Sequence, residues 1–272
     1  MRYVLFLMLW LPAFIGNAQD APRAYDRLGL LIGGQQTHLQ DQQFSALIYQ
    51  ANEIGLRLFY EGKHNRSNWN VFIDLATGSL YPPQYANRML YNTTEDVYGN
   101  ITTDSFFVIG NTLTANFQLG YAYDLVHSTD WEVSVGADVR NQLMYPTTFV
   151  NLGIMNSASL LMAANAKWYV NKANEVKLGV SFPVMGFNTR FPHSGTVSLP
   201  NQTLLEAFFD GGTHFVSFGD YNQVNASCSW RFALSPKTGL GLQYDFMWQQ
   251  YTIPSTLRQY ATRIGATIDI KL

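Results

Sequence analysis

Apolar and polar residues alternate along most of this chain. In the segment from Tyr260 to Leu272, apolar side chains occupy nearly every second position, and Arg263, Asp269 and Lys271 lie between them. Successive side chains of a strand face opposite sides, so this segment is predicted to be a strand with one apolar and one charged face. Strands of soluble proteins usually have five or six residues. This longer strand fits a tilted crossing of a membrane, which takes about 9–11 residues.

The same alternation recurs in about ten segments, and a barrel of 8–12 strands is compatible with it. Polar turns follow the even-numbered segments, whereas long connections are predicted over 37–53, 80–107, 143–156 and 187–218. Short turns on one side and long loops on the other are typical of outer-membrane barrels. The pattern therefore predicts an all-β fold, an antiparallel up-and-down transmembrane β-barrel. The predicted strands are 27–36, 54–62, 69–76, 113–123, 131–140, 158–168, 176–182, 223–232, 240–248 and 260–272.

A secreted β-sandwich also alternates, with its apolar residues facing a shared core. Composition favours the membrane, because charged residues make up only 13% of the chain and aromatic residues reach 15%. A lipid-facing barrel needs few charges outside and uses aromatic side chains as girdles at both interfaces. Candidate girdle residues near the ends of the predicted outward faces are Trp69, Tyr123, Trp131, Trp168 and Trp248.

The amino terminus has the organisation of a cleaved secretory signal. Arg2 precedes an apolar run over 3–15, and Gly16, Asn17 and Ala18 supply small residues before a polar stretch. The run is too short for a membrane-spanning helix, which needs about 20 residues. The prediction is a signal peptide over 1–18, a barrel over 19–272 and localisation in the outer membrane.

Net charge and cysteine content exclude one class of partner and one kind of covalent framework. The net charge of −2 gives no electrostatic footprint for nucleic acid, and the single Cys228 excludes an intramolecular disulfide framework. The expected partners are membrane lipid, lipopolysaccharide and another outer-membrane protein. No cofactor is expected. The five histidines occur singly, without the paired spacing of a metal site, and His64 and His127 are expected to be solvated turn residues.

The predicted inward faces carry charges of both signs. Buried charges persist when they are paired, so these residues are expected to form a mutually neutralising polar network. A barrel of about ten strands with bulky side chains inside is expected to be closed or to have a very narrow lumen. The functional alternative is a narrow polar pore. The network residues are Arg57, Asp74, Asp138, Arg140, Arg231, Asp245 and Arg263.

The fourth long connection is apolar for an exposed loop. Phe208, Phe209, His214 and Phe215 form a candidate patch there, suited to covering the barrel mouth or to binding a partner. The same connection and its flank supply the histidines and carboxylates that come closest to a hydrolytic set. These residues lack fixed spacing, so a catalytic site is not expected. They are His193, Asp210, His214 and Asp220.

Two fragments give a family resemblance. The sequence FSALIYQ over 44–50 and the strand IGLRLFYEGKH over 54–64 resemble segments of the small outer-membrane barrels common in Bacteroidota. The resemblance implies the barrel fold and the outer-membrane location. We expect a non-enzymatic barrel that acts as an accessory, structural or binding component through its extracellular loops. The alternatives are a narrow pore or transporter for a small or hydrophobic solute and, with less support, an outer-membrane hydrolase.

Overall fold

The computed structural model describes residues 24–85, 88–107, 109–147, 153–171, 173–191, 201, 203 and 206–272. The predicted signal peptide lies outside these residues. The described chain contains thirteen β-strands. They are β1 (Tyr25–Asp41), β2 (Ile48–His64), β3 (Ser67–Tyr81), β4 (Met89–Glu95), β5 (Ile101–Phe107), β6 (Gly110–His127), β7 (Trp131–Thr147), β8 (Met155–Tyr169), β9 (Asn174–Arg190), β10 (Thr213–Ser217), β11 (Tyr221–Ala233), β12 (Thr238–Tyr251) and β13 (Leu257–Lys271).

Ten of these strands form a closed antiparallel barrel. Each pairs with the next along the chain, in the order β1, β2, β3, β6, β7, β8, β9, β11, β12 and β13, and β13 closes the ring on β1. The closing register pairs Arg27 with Lys271 at one end and Asp41 with Leu257 at the other. Closure leaves no free edge in the barrel wall, as a lipid-embedded sheet requires. The predicted all-β, ten-stranded, up-and-down barrel is confirmed.

The two ends of the barrel differ in their connections. Four tight turns and both ends of the described chain lie at one end, which we call the turn end. In the turn between β2 and β3, Asn65 adopts a positive φ of 54°, a conformation that asparagine tolerates. The five other connections lie at the opposite end, the loop end. In outer-membrane barrels generally, the short turns are periplasmic and the longer loops extracellular.

The predicted long loops are wrong in their limits. The connection predicted over 37–53 spans only 42–47, because β1 continues to Asp41 and β2 starts at Ile48. The connection predicted over 80–107 contains the separate hairpin β4–β5. The one predicted over 143–156 is shortened by β7 and β8, which occupy both of its flanks. The one predicted over 187–218 contains β10, which pairs with the end of β9. The limits move because the barrel strands continue past the segment where apolar side chains face outward, as described below. The hairpin β4–β5 and strand β10 are separate elements inside the connections.

The outer wall carries a belt of apolar side chains. Ile54, Leu58, Val135, Leu160 and Ile268 are all 38–74% exposed although they sit in the middle portions of long strands. Rings of aromatic residues flank this belt. Trp131 stacks on Trp168 at the turn end, and Tyr260 stacks on His38 at the loop end. An apolar belt between aromatic girdles is the surface of a barrel that crosses a membrane. The predicted girdle residues Trp69, Tyr123, Trp131, Trp168 and Trp248 are 36–48% exposed.

Helical structure is limited to a short 3-10 turn at Pro83–Tyr85 and a short π-helical segment at Ala207–Gly211. Among the described residues, no helix has the length and apolar character needed to span a bilayer.

Candidate functional site

The lumen is filled in three layers, and the middle layer is a charged cluster. Arg57 on β2 lies beside Asp74 on β3, and Asp245 on β12 lies beside Arg263 on β13, in the direct register of each strand pair. Side chains of both signs therefore face each other across two hairpins. We call these four residues the central tetrad.

The central tetrad is closed by ion pairs on every side. Arg57 contacts Asp74 at 2.9 Å and Asp245 at 3.2 Å. Arg263 contacts Asp74 at 2.6 Å and Asp245 at 2.5 Å. All four side chains are largely buried, and Asp74 and Arg263 are only 5% and 4% exposed. Because each charge has two opposite neighbours, the tetrad compensates its own charge, as buried charges require.

The remaining predicted network residues lie outside the tetrad. Arg140 donates hydrogen bonds to the amide oxygens of Gln118 and Asn225, at 2.5–2.8 Å, and makes no ion pair within 4 Å among the described residues. Asp138 is buried on the inner face. Arg231 pairs with Asp269 at 2.8 Å. The structure places the seven predicted side chains on the inner face and divides them among separate groups.

A polar cavity of about 220 Å³ lies beside the tetrad. Its lining includes tetrad residues together with Asp138 and Arg140, and the amides of Gln118, Asn165 and Asn225 also face it. The cavity can hold several water molecules or a small polar molecule. Its walls combine these charges and amides with apolar side chains, including Phe59, Phe72 and Met247.

The turn end forms the second layer and consists mainly of ion pairs. Arg27 pairs with Glu175 at 2.5 Å, and Lys177 pairs with Glu61 at 2.6 Å. Lys167 donates a hydrogen bond to the Tyr25 hydroxyl. These contacts join strands that are distant along the chain, so they bridge the lumen rather than following one hairpin.

A second group at the turn end centres on one buried lysine, and sequence reasoning missed it. The Lys63 ammonium is fully buried and contacts Asp124 at 2.7 Å and Glu132 at 2.6 Å. The Nδ1 atom of His127 lies 3.3 Å from Glu132. His127 was expected to be solvated, but its side chain is only 6% exposed. The available signal was the hairpin register, which places His127 opposite Glu132.

This turn-end group also resembles a metal site in composition. Asp124, His127 and Glu132 offer three ligand atoms within 4.8 Å of one another, and no other such group of three occurs in the described part of the chain. Lys63 already supplies a positive charge to both carboxylates. The arrangement is therefore explained by an internal ion cluster.

The loop end forms the third layer and is apolar. Its buried side chains come from strands on all sides of the barrel, so they fill the lumen across its width. Phe44, Leu47 and Ile253 pack against them from the loops. We call this set the apolar plug. It consists of Leu39, Tyr49, Ala51, Leu80, Met144, Met155, Val216, Tyr221, Tyr251 and Leu257.

One ion pair fastens the loops over the apolar plug. Arg190, at the end of β9, contacts Asp41 at 2.5 Å, and both side chains are 4% exposed or less. The same guanidinium donates to the carbonyl oxygens of Ile253 at 3.2 Å and Ser255 at 2.8 Å. Three loop-end segments are thus held by one side chain whose planar fork suits several acceptors.

The predicted loop patch is divided by the fold. Phe208 is buried and packs against Phe191 and Phe209, with ring centroids 5.1 Å apart in both pairs. Phe209 and Phe215 are at least half exposed, and Phe215 packs edge-on against the outward Phe187. His214 is half-buried on β10. The patch therefore has a buried anchor and an exposed outer part rather than one continuous surface.

The residues considered for hydrolysis do not assemble within the described chain. Asp210 and Asp220 are exposed, and neither makes an ion pair with His214. His193 lies outside the described residues.

Comparisons with known proteins identify solved structures that resemble this chain. The outer membrane protease OmpT from Escherichia coli matches with a TM-score of 0.50 and 7% identity, covering 92% of this chain and 96% of that chain. An outer membrane channel from Pseudomonas putida F1 matches with a TM-score of 0.44 and 10% identity, over 94% and 98% of the two chains. The Ail protein of Yersinia pestis matches with a TM-score of 0.29 and 12% identity, over 90% and 99%.

No protein-family model matches the sequence, and no curated protein sequence matches it. At 7% identity, the likeness to OmpT concerns the fold alone. Together with the closed ring and the apolar outer belt, it shows that this chain has the ten-stranded β-barrel fold found in outer-membrane proteins.

Proposed function

We propose that this protein is an integral outer-membrane barrel with an occluded lumen, and that it acts without enzymatic activity as an accessory, structural or binding component through its loop end. The observation that carries the proposal is the apolar plug, which fills the loop end of the lumen from strands on all sides. A solute crossing the barrel would have to displace packed side chains there.

The other two layers support the same reading. The central tetrad and the turn-end ion pairs lie in series with the apolar plug along the barrel axis. A barrel of this strand number is narrow enough for side chains to fill it, whereas open aqueous channels occur at about sixteen strands. The loops are then the parts best placed to meet other molecules, including lipopolysaccharide and a neighbouring outer-membrane protein.

The polar cavity of about 220 Å³ favours the second candidate, a narrow pore. Its charged and amide lining could form part of a path for a small polar solute if the plug were displaced. The two candidates differ in one measurable property, which is steady conductance.

The test is a planar-bilayer recording of the purified barrel. The unmodified protein is expected to give no steady conductance. Arg57→Ala, which opens only the tetrad, is expected to remain silent because the apolar plug still closes the lumen. A combined variant with Arg57→Ala, Tyr49→Ala and Leu257→Ala is expected to conduct.

Each variant needs a folding control, because a barrel that fails to assemble would also be silent. Heat-modifiable migration on gels supplies it. Large, steady conductance from the unmodified protein would overturn the occluded barrel and support the transporter. Conductance from Arg57→Ala alone would show that the plug does not close the lumen.

A further inference from the structure

The hairpin β4–β5 stands apart from the barrel as a two-stranded sheet. Every side chain described from 89 to 105 is exposed, including the apolar groups of Tyr91, Val97 and Ile101 at 67–93%. Isolated two-stranded hairpins are marginally stable in water, and a third strand would stabilise this one. The hairpin is thus an incomplete sheet at the loop end.

The backbone of the hairpin leaves a row of hydrogen-bonding groups free on each edge. The amide of Asp96 donates to the Asn100 carbonyl oxygen at 3.0 Å. This contact shows which residues of β4 form hydrogen-bonded pairs with β5 and which do not. Since antiparallel residues alternate between facing the partner strand and facing away, the amides of Tyr91, Thr93 and Glu95 point to the outer edge of β4. No described strand pairs with that edge.

The tip of the hairpin is already ordered by its own residues. Asp96 accepts hydrogen bonds from the amides of Tyr98 and Asn100 and from the Asn100 side chain, at 2.8–2.9 Å. Gly99 supplies the positive φ of 81° that the turn needs. The Asn100 side-chain and backbone hydrogen bonds lower the pKa of Asp96. A preorganised tip lowers the entropy cost of binding at the edges.

The charge of the hairpin selects among possible occupants. Glu95, Asp96 and Asp104 are its charged residues, and the segment 89–107 contains no lysine or arginine. Edge-to-edge pairing with a second copy would place two hairpins that carry only negative charges side by side, which is less favourable than pairing with a basic strand. A lipopolysaccharide phosphate would be repelled by them as well. An extended segment with basic side chains complements both the edge and the charge.

We propose that the free edge of β4 binds an extended, lysine- or arginine-bearing segment of a partner protein as an added strand. This inference rests on the proposed function, since it names the kind of partner that the loop end binds. Main-chain hydrogen bonds to Tyr91, Thr93 and Glu95 would supply affinity, and a basic side chain of the added strand would lie beside the Glu95 carboxylate at the β4 edge.

The test uses the full barrel in detergent and a short fluorescent peptide of alternating lysine and valine. Fluorescence anisotropy measures binding, and a glutamate–valine peptide is the charge control. The lysine–valine peptide is expected to bind about tenfold more tightly than the glutamate–valine peptide. A lysine–valine peptide N-methylated at alternate amides tests whether main-chain hydrogen bonds are used, and it is expected to lose binding.

A matched pair of variants identifies the edge. Thr93 and Thr103 lie opposite each other on the two strands, and their amides point to opposite free edges. Thr93→Pro removes one outward amide from the β4 edge and is expected to abolish peptide binding. Thr103→Pro removes the equivalent amide from the β5 edge and is expected to leave binding intact. Neither change removes a main-chain hydrogen bond between β4 and β5. Each removes the same side-chain hydrogen bond, the one between the Thr93 and Thr103 hydroxyls at 3.2 Å, so the two variants remain matched.

Several outcomes would overturn the proposal. Equal binding of both peptides would exclude selection by charge. Loss of binding only in Thr103→Pro would show that the peptide binds the β5 edge and not the β4 edge. Self-association that Thr93→Pro removes would identify a second copy as the occupant. Binding to lipopolysaccharide vesicles in place of the peptide would identify a lipid. If the barrel proves silent in planar bilayers and the lysine–valine peptide does not bind, this inference fails while the occluded barrel stands.

Discussion

The loop end and the turn end of the lumen are filled by different chemistry, although the same ten strands build both. At the loop end the inward side chains form an apolar cluster, as at Leu39, Tyr49 and Leu80, with the single buried ion pair of Arg190 and Asp41 beside it among the described residues. At the turn end they are charged and paired, as at Lys63 and Glu132. The barrel therefore has an ordinary hydrophobic core at one end and an ionic interior at the other.

The outer wall explains this difference. Beside the apolar plug several outward residues are polar and exposed, including Gln36, Asn52 and Ser79, although Ile48 and Tyr145 are apolar. Along the middle and turn end the outward residues are large and apolar, such as Ile54 and Leu58. Where water surrounds the wall, burying apolar side chains inside is favourable. Where lipid surrounds it, apolar residues are retained outside and the interior can be polar.

Of the substitutions considered, the removal of one charge from the central tetrad should reduce the folding free energy most. Asp74→Asn leaves Arg57 and Arg263 sharing the single carboxylate of Asp245. Leaving a buried charge uncompensated costs about 3–5 kcal/mol of folding free energy. Urea unfolding in detergent micelles, followed by heat-modifiable migration, measures this loss.

A double variant separates charge balance from simple loss of packing. Asp74→Asn with Arg263→Met removes one charge of each sign and leaves Arg57 paired with Asp245 at 3.2 Å. Replacing a balanced buried pair by uncharged groups is often close to neutral. The double variant is therefore expected to be more stable than Asp74→Asn alone. If both variants lose equal stability, charge compensation within the tetrad does not stabilise the middle layer.

Sequence alternation could predict the fold and the inward face because both follow from a period of two. It placed Arg57, Asp74, Asp245 and Arg263 inside, and the structure brings these four together. Two of their contacts follow from strand register, which a hairpin with a short turn nearly fixes. The contact between Asp74 and Arg263 spans 189 residues and depends on barrel closure. The local pattern of apolar and polar residues therefore contains no information on this contact.

The strand limits failed for a physical reason. Strand β1 continues beyond Gln36, and strand β2 begins before Ile54. In both extensions apolar and polar residues still alternate, but the apolar residues now occupy the inward positions. Apolar residues such as Leu39 and Ala51 turn inward there, and polar residues turn outward. A strand limit predicted from apolar outward residues therefore stops at that reversal, although the strand itself continues. The same reversal conceals the apolar plug, which consists of inward residues at the strand ends.

The outer wall offers a direct test of the reversal. Val135 and Leu160 lie in the apolar belt, where an arginine side chain should cost about 2–4 kcal/mol near the bilayer centre. Gln36 also faces outward but lies in the polar wall beside the plug. Gln36→Arg should cost about 0–1 kcal/mol, the range expected near an interface. Folding into lipid vesicles, measured by heat-modifiable migration, compares the three.

The expected order is that Val135→Arg and Leu160→Arg assemble poorly, whereas Gln36→Arg assembles like the unmodified protein. Equal assembly of all three would place the lipid boundary elsewhere. Poor assembly of Gln36→Arg alone would reverse the assignment of the two walls.

A smaller effect than in the tetrad or the apolar belt is expected from Arg190→Lys at the loop end. Lysine keeps the positive charge near Asp41 but lacks the planar fork that also reaches the Ile253 and Ser255 carbonyl oxygens. Losing one such charge-assisted hydrogen bond costs about 1.5 kcal/mol. Faster amide hydrogen exchange over 252–256, followed by mass spectrometry, is the sensitive measurement.

Arg231→Lys supplies the matched control at the turn end, where Arg231 pairs with Asp269 at 2.8 Å. This variant should speed exchange near 234–237 and leave 252–256 unchanged. The two ends are packed by different side chains and separated by the tetrad, so each substitution should act locally. If Arg190→Lys also speeds exchange at 234–237, the lumen opens as one unit and the distinction between its two ends does not extend to its dynamics.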